Sequence, residues 1–153
     1  MKILLVEDDN SIREMITGFL ERDGYTVRAV GNGLEGLALM KIGPPDAVIT
    51  DIKMPEMDGL EFLKRSRENC DVPFIMITGY ADLELAIESL NNGAAYFIHK
   101  PVNFIELKAA LNGLREKKEL ERKLKQERAK LLHMSRLADL GQLMAGLAHE
   151  INN

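Results

Sequence analysis

Cysteine is nearly missing from this 153-residue sequence: Cys70 stands alone, which excludes an intrachain disulfide and a cysteine-rich zinc site. No apolar run reaches the length needed to cross a membrane, and the start lacks the basic, apolar, small-residue order of a secretion leader. An excess of positive charge is also missing. The formal net charge of −4 argues against a general nucleic-acid binder. There is no helix-turn-helix pattern and nothing that resembles a nucleotide-binding loop. The expectation from these absences is a cytoplasmic protein with no direct nucleic-acid or membrane partner.

What is present describes a globular chain. Hydrophobic residues make up 46% and charged residues 29%, enough apolar side chain for a packed core and too little charge for general disorder. The length suits one ordinary domain and an appendage. Charge divides the chain the same way. Residues 1–114 carry 11 basic and 18 acidic residues, a net of −7; residues 115–130 carry 8 and 4, a net of +4; and residues 131–153 carry a net of −1. An acidic part and a basic part are therefore different objects.

The acidic part repeats one pattern. Ile3-Leu4-Leu5-Val6 is an apolar run without alternation, as expected of a central parallel strand covered on both faces, and it ends in Glu7-Asp8-Asp9. Ile12, Met15, Ile16, Phe19 and Leu20 then follow at helical spacing; Asn10 or Ser11 can cap that helix, with Glu14 at capping-box distance from Ser11, and Gly24 stops it. Residues 25–29 predict a second strand. A second helix follows from Leu34, with Leu34, Leu37 and Ala38 on one face, closed by Gly43-Pro44-Pro45. The third strand, ending at Thr50, delivers Asp51. Leu60, Phe62 and Leu63 mark the next helix. A fourth strand over 73–77 delivers Thr78-Gly79, and Leu83, Ala86, Ile87 and Leu90 mark the helix after it. A fifth strand over 96–98 delivers Lys100-Pro101, and the chain is helical again from Phe104.

Strand–helix units repeating every 20 to 25 residues or so predict an α/β fold, a doubly wound five-stranded parallel sheet. Crossovers of one hand put every strand's carboxyl end on one rim, where ligands of such sheets collect. That rim would carry Glu7, Asp8, Asp51, Thr78 and Lys100. An all-oxygen acidic set suits a hard divalent cation, and Mg²⁺ needs only one or two carboxylates plus a phosphate oxygen. With an ammonium and a hydroxyl added, the set can receive a phosphoryl group. Asp51 itself could be a metal ligand or a nucleophile.

Residues 1–115, with VEDD at 6–9, DIKMPEMDG at 51–59, TG at 78–79 and KP at 100–101, resemble the receiver domain of two-component response regulators, a flavodoxin-like fold. The resemblance implies phosphoryl transfer from a phosphohistidine donor to Asp51. Glu7 and Asp8, together with Asp51 and the main-chain carbonyl of Lys53, would hold Mg²⁺; the Lys53 side chain is given no role. Thr78 would be the switch hydroxyl and Lys100 the phosphate-contacting amine, aimed by a cis peptide before Pro101. Phe97, three residues before Lys100, occupies the switch-aromatic position without the hydroxyl of its neighbour Tyr96. Gly79 stands where many relatives carry alanine or serine, beside the incoming group.

Beyond residue 115 the pattern changes. Leu120, Leu124, Leu131 and Met134 follow a four-and-three rhythm with Glu127 in the seam, and Leu137, Leu140, Met144, Leu147 and Ile151 keep a three-four alternation. A helix exposed over about 40 residues needs a partner, so a dimeric coiled coil is expected over 116–136. The alternating charges of its flanks suit a solvated shaft better than a nucleic-acid or lipid contact. Met134, Leu137 and Leu140 are each three apart, which slips the register between the two segments. Residues 137–153, LADLGQLMAGLAHEINN, resemble the H-box helix of a histidine kinase dimerisation and phosphotransfer domain, stopping short of its second helix. That resemblance implies phosphorylation on His149, with Glu150 as the adjacent acid–base carboxylate and Asn153 one turn further on. The combined expectation is a receiver that regulates a kinase through a parallel homodimer, within a receiver-first histidine kinase. Without a nucleotide site the chain would not phosphorylate itself from ATP. The alternatives are a phosphorylation-controlled dimerisation module in which His149 is silent, and a response regulator whose DNA-binding output lies elsewhere.

Overall fold

The computed structural model describes residues 1–153. In chain order it contains β1 (Lys2–Val6), α1 (Asn10–Arg22), β2 (Thr26–Val30), α2 (Gly33–Ile42), β3 (Ala47–Asp51), α3 (Gly59–Arg67), β4 (Phe74–Thr78), α4 (Leu83–Asn91), β5 (Tyr96–His99) and α5 (Phe104–Asn152), with a 3₁₀ turn at Tyr80–Asp82 leading into α4. The apolar runs became strands because helices cover them from both sides. The sheet order is β2-β1-β3-β4-β5, and every pairing is parallel. The chain reverses direction of winding between β1 and β3, so the crevice of this doubly wound sheet opens at their carboxyl ends.

Alternation along the strands splits the core in two. Ile3, Leu5, Ile49, Ile75 and Ile77 face Ile16 and Leu20 of α1 and Leu107, Leu111 and Leu114 of α5. Leu4, Val6, Val48, Phe74 and Met76 face Met40 of α2, Phe62 and Leu63 of α3 and Ala86 of α4. Neighbouring residues of one strand thus serve opposite layers. Phe62 and Phe74 meet edge to face, with ring centroids 5.3 Å apart.

Two helices turn a different face inward from the one their leucines predict. In α2, Leu34 and Ala38 are exposed, and the buried positions are Gly33, Gly36 and Met40. A Cβ on Gly36 would stand 2.9 Å from Phe62 Cζ and 3.1 Å from Val6 Cγ2, so the absence of a side chain is what lets α2 lie that close. In α4, Leu83, Ile87 and Leu90 are exposed, while Ala86 and Ser89 are buried. Ser89 tolerates this because its hydroxyl donates to the carbonyl of Leu85 at 2.8 Å.

The starts of α1, α2 and α3 are set by side-chain caps. Asp9, rather than Asn10 or Ser11, caps α1 by accepting from the Ile12 amide at 3.0 Å. With Ser11 inside the helix, the capping box with Glu14 does not form. Asn32 accepts from Glu35 N and Asp58 from Glu61 N, so α2 and α3 start in the same manner. Gly24, at φ +89, turns the chain out of α1.

The chain divides into two compact units, Met1–Leu114 and Arg115–Asn153. In the second unit every residue is exposed, and all but Asn153 lie on the single helix α5, including Leu120, Leu124, Leu131, Met134, Leu137, Leu140, Met144, Leu147 and Ile151. No helix is long and apolar enough to cross a membrane.

Candidate functional site

The crevice between β1 and β3 is acidic for a local reason. Glu7 follows the last residue of β1, and its amide donates to Val30 O at 3.1 Å, which turns the following residues onto the rim. Arg13, from the first turn of α1, donates to the Glu7 carbonyl at 2.7 Å and also to the side chain of Asn10. Asp51 is the final residue of β3, paired in register with Ile77. Gly59 lets α3 begin against it: its amide donates to Ile52 O at 2.7 Å, and a Cβ there would lie 2.2 Å from the Asp51 carbonyl oxygen.

Lys100 reaches across from the end of β5. Its Nζ lies 2.6 Å from Asp51 Oδ2 and 3.5 Å from Glu7 Oε2. The Lys100–Pro101 peptide is cis. Glu7, Asp8 and Asp51 can each offer one oxygen within 4.8 Å of the others. Glu7 is fully buried, Asp51 is 5% exposed and Asp8 is open to solvent.

Burial dominates the titration of this group. It raises Glu7 to a pKa of about 7, with the Asp9 amide opposing and the Asp51 charge adding to the rise. Burial also raises Asp51, against the hydrogen bond and charge of Lys100. Lys100 loses some basicity to burial, but the Asp51 hydrogen bond and the charges of Asp51 and Glu7 outweigh that and raise it. A cluster of acids this short of positive charge fits a divalent cation. Glu7 Oε2 supports the fit, since it is buried without a hydrogen-bond partner and so has a lone pair to give.

Not every residue singled out in the sequence joins this cluster. The Thr78 hydroxyl donates to Gly79 O at 3.0 Å, and no hydrogen bond joins it to Asp51. Phe97 is half-buried against the α2–α4 layer and meets His99 edge on, with centroids 5.4 Å apart. Tyr96 is 40% exposed. His149, Glu150 and Asn153 lie in the second unit, where Asn153 Nδ2 is 3.3 Å from His149 Nε2. Sequence reasoning missed one interaction entirely: the Lys53 side chain forms an ion pair of 2.6 Å with Asp82. Asp82 directly precedes the apolar residues of α4, which reads as a helix cap and gives no hint of a partner 29 positions back.

A doubly wound parallel sheet with an acidic crevice and an opposing lysine at its carboxyl rim defines a receiver-type signalling domain. The chain belongs to the response regulator receiver domain family, whose pattern matches residues 3–112. It is 37% identical over 107 residues to the regulatory protein AtoC of Escherichia coli, covering 69% of this chain and 23% of AtoC. With the probable C4-dicarboxylate response regulator DctR of Priestia megaterium it shares 40% identity over 116 residues, 74% of this chain and 51% of DctR. A receiver domain protein of Clostridium thermocellum superposes with a TM-score of 0.73 at 34% identity, covering 78% of this chain and 97% of that one. The N-terminal domain of an uncharacterized Wolinella succinogenes protein gives 0.74 at 32% identity, with coverages of 79% and 98%. The chain thus spans about a quarter to about a half of the length of these curated relatives. As a family, receiver domains take part in phosphorelay signalling, receive phosphoryl groups from donor kinases and bind Mg²⁺ in the acidic pocket.

Proposed function

We propose that this chain accepts a phosphoryl group on Asp51 from a phosphohistidine and passes the change to a histidine kinase through its C-terminal helix. The observation that carries the first half is the meeting of Lys100 with Asp51 at 2.6 Å beside two further acids. Glu7, Asp8, Asp51 and the carbonyl of Lys53 would hold Mg²⁺, which when bound supplies positive charge to the phosphoryl oxygens. One Asp51 oxygen forms the new bond to phosphorus as the nitrogen–phosphorus bond of the donor breaks, and the departing histidine nitrogen keeps the electron pair. Lys100 neutralises charge on the transferred group. The Thr78 hydroxyl leaves Gly79 O and donates to a phosphoryl oxygen, so the end of β4 moves with it.

The second half rests on the H-box resemblance of 137–153. Residues 1–115 form the receiver, 116–136 a parallel coiled-coil linker and 137–153 the phosphotransfer helix, with His149 as phosphorylated residue, Glu150 as acid–base group and Asn153 as its orienting neighbour. The exposed apolar residues from Leu120 to Ile151 support pairing with a second copy, since an unpaired stripe of that length is poorly stable in water. A second reading, a transcriptional response regulator, is favoured by the descriptions of relatives such as the regulators YcbL of Bacillus subtilis and KdpE of Staphylococcus aureus.

Sedimentation of the chain with and without beryllofluoride and Mg²⁺ tests both halves. Binding that vanishes in Asp51→Asn, and a dimer in at least one state, are the expected results. A helical monomer under all conditions would remove the coiled coil. Supplying a histidine kinase catalytic domain with labelled ATP tests the kinase reading: label on His149 supports it, and no label removes it in favour of the transcriptional regulator or a dimerisation module in which His149 is silent.

A further inference from the structure

The start of α4 departs from the other helices of the receiver unit. Asp9, Asn32 and Asp58 hold extended backbones (ψ 116, 164 and 166) and cap α1, α2 and α3 with their side chains. Asp82 is the same kind of residue in the same position, yet its backbone is not extended (φ −112, ψ 23) and its side chain caps nothing. Its carboxylate is engaged elsewhere. Oδ1 is 2.6 Å from Lys53 Nζ, and Oδ2 lies 3.4 Å from where a Cβ on Gly79 would be. The Asp82 amide is held in the 3₁₀ turn by Gly79 O at 3.1 Å. Lys53 lies two residues beyond Asp51, and Gly79 directly follows Thr78. The ion pair therefore straps together the loop that leaves β3 just after Asp51 and the loop that leaves β4 just after Thr78.

We infer that Asp82 is a two-position residue: paired with Lys53 it holds the β4–α4 loop in the resting form, and on phosphorylation of Asp51 it lets go and caps α4. This rests on Asp51 being the acceptor. A dianionic group on Asp51 attracts the ammonium two residues away and repels the carboxylate that the ammonium holds. The released carboxylate has a waiting site, the uncapped amides of Glu84 and Leu85 in the first turn of α4, where the helix dipole favours negative charge. Taking up the extended backbone of a cap unwinds the Tyr80–Asp82 turn, which releases Gly79 O from the Asp82 amide and lets the Thr78 hydroxyl that donates to it follow. Lys53 and Asp82 are thus positioning residues that set how readily Thr78 reaches the phosphoryl group.

The test uses the full chain, with amide hydrogen exchange and beryllofluoride affinity in Mg²⁺ as readouts. In the wild type, ligand slows exchange at Glu84 and Leu85 by about five-fold, the worth of one cap. Lys53→Met, at a side chain that is 64% exposed, and Asp82→Asn, which keeps the capping oxygen, show that protection without ligand. Both bind beryllofluoride about two- to five-fold tighter, the scale of one partly exposed ion pair, and the double variant gains nothing more. Asp82→Ala, with neither pair nor cap, gains no protection in either state. Binding without any change at the two amides, or Lys53→Met binding no tighter than wild type, overturns the strap. No binding by the wild type overturns instead the acceptor reading beneath it.

Discussion

Replacing Gly59 by alanine should disturb the site from beneath without touching a charged group. The added Cβ would fall 2.2 Å from the Asp51 carbonyl oxygen, 2.9 Å from Ile52 Cα and 3.0 Å from Asp51 C, all backbone atoms that no rotamer can move aside. A carbon–oxygen contact needs about 3.3 Å, so α3 and the end of β3 must separate by roughly 1 Å. That movement stretches the 2.7 Å bond from Gly59 N to Ile52 O. It also loads the 2.9 Å bond from Ile52 N to Ile77 O on β4. Overpacking costs about 1–3 kcal/mol and a weakened hydrogen bond about 1 more, giving roughly 3 kcal/mol in all. At about 4 °C per kcal/mol for a domain of this size, the receiver unit should melt around 10 °C lower, with weaker beryllofluoride binding as Asp51 shifts. Thermal unfolding followed by circular dichroism reads the first effect and titration calorimetry the second. Two other glycines calibrate the reasoning. Gly18 has nothing within 4 Å of its Cβ position inside α1, so Gly18→Ala should gain about 0.5–1 kcal/mol. Gly24 has the same open space but φ +89, so Gly24→Ala should lose about 1 kcal/mol from backbone strain alone. A Gly59→Ala protein melting within 2 °C of wild type, with unchanged ligand affinity, would refute the close approach of α3 to Asp51.

Three further outcomes are expected. Arg67 donates to Val72 O at 2.7 Å and Gly93 O at 2.8 Å while its guanidinium lies 5.6 Å from the Phe74 ring centroid, so Arg67→Ala should cost about 2–3 kcal/mol, seen as a lower urea midpoint at constant slope, and Arg67→Lys should restore only part. Gly79→Ala meets only Asp82 Oδ2 at 3.4 Å, so it should fold normally and, by filling space beside the phosphoryl group, lengthen aspartyl-phosphate lifetime about three-fold; an unchanged decay after chelator quench would refute that. Glu7 has a folded pKa of about 7 against an ordinary 4.5, so the folded form binds its proton more tightly than the unfolded form does. Its stabilising effect is therefore complete below pH 4.5 and is lost as pH rises through 7, by up to about 3 kcal/mol without metal. Added Mg²⁺ should raise the melting temperature more at pH 8 than at pH 5.5, and equal increments at the two would contradict a cation held by Glu7.

Much of this protein could be read from residue order because the relevant physics is local. Unbroken apolar runs such as Ile3-Leu4-Leu5-Val6 have no polar face to give to water, which demands a doubly covered strand, and Gly-Pro punctuation after Met40 and Asn-Asn-Gly after Leu90 end helices whatever lies beyond them. A parallel sheet then sends every strand's carboxyl end to one rim, so Glu7, Asp8, Asp51 and Lys100 meet without their contacts being known. Contacts between distant segments obey no such local rule. The inward faces of α2 and α4 follow the close packing of Gly36 on Phe62 and the satisfied hydroxyl of Ser89, and leucine spacing registers neither. In the resting structure Thr78 turns its hydroxyl to Gly79, and Asp82 chooses Lys53 over its own helix. Periodicity determines which segments must be covered and where chemistry emerges; only the folded chain, in which each polar group takes the best partner within reach, decides which partner that is.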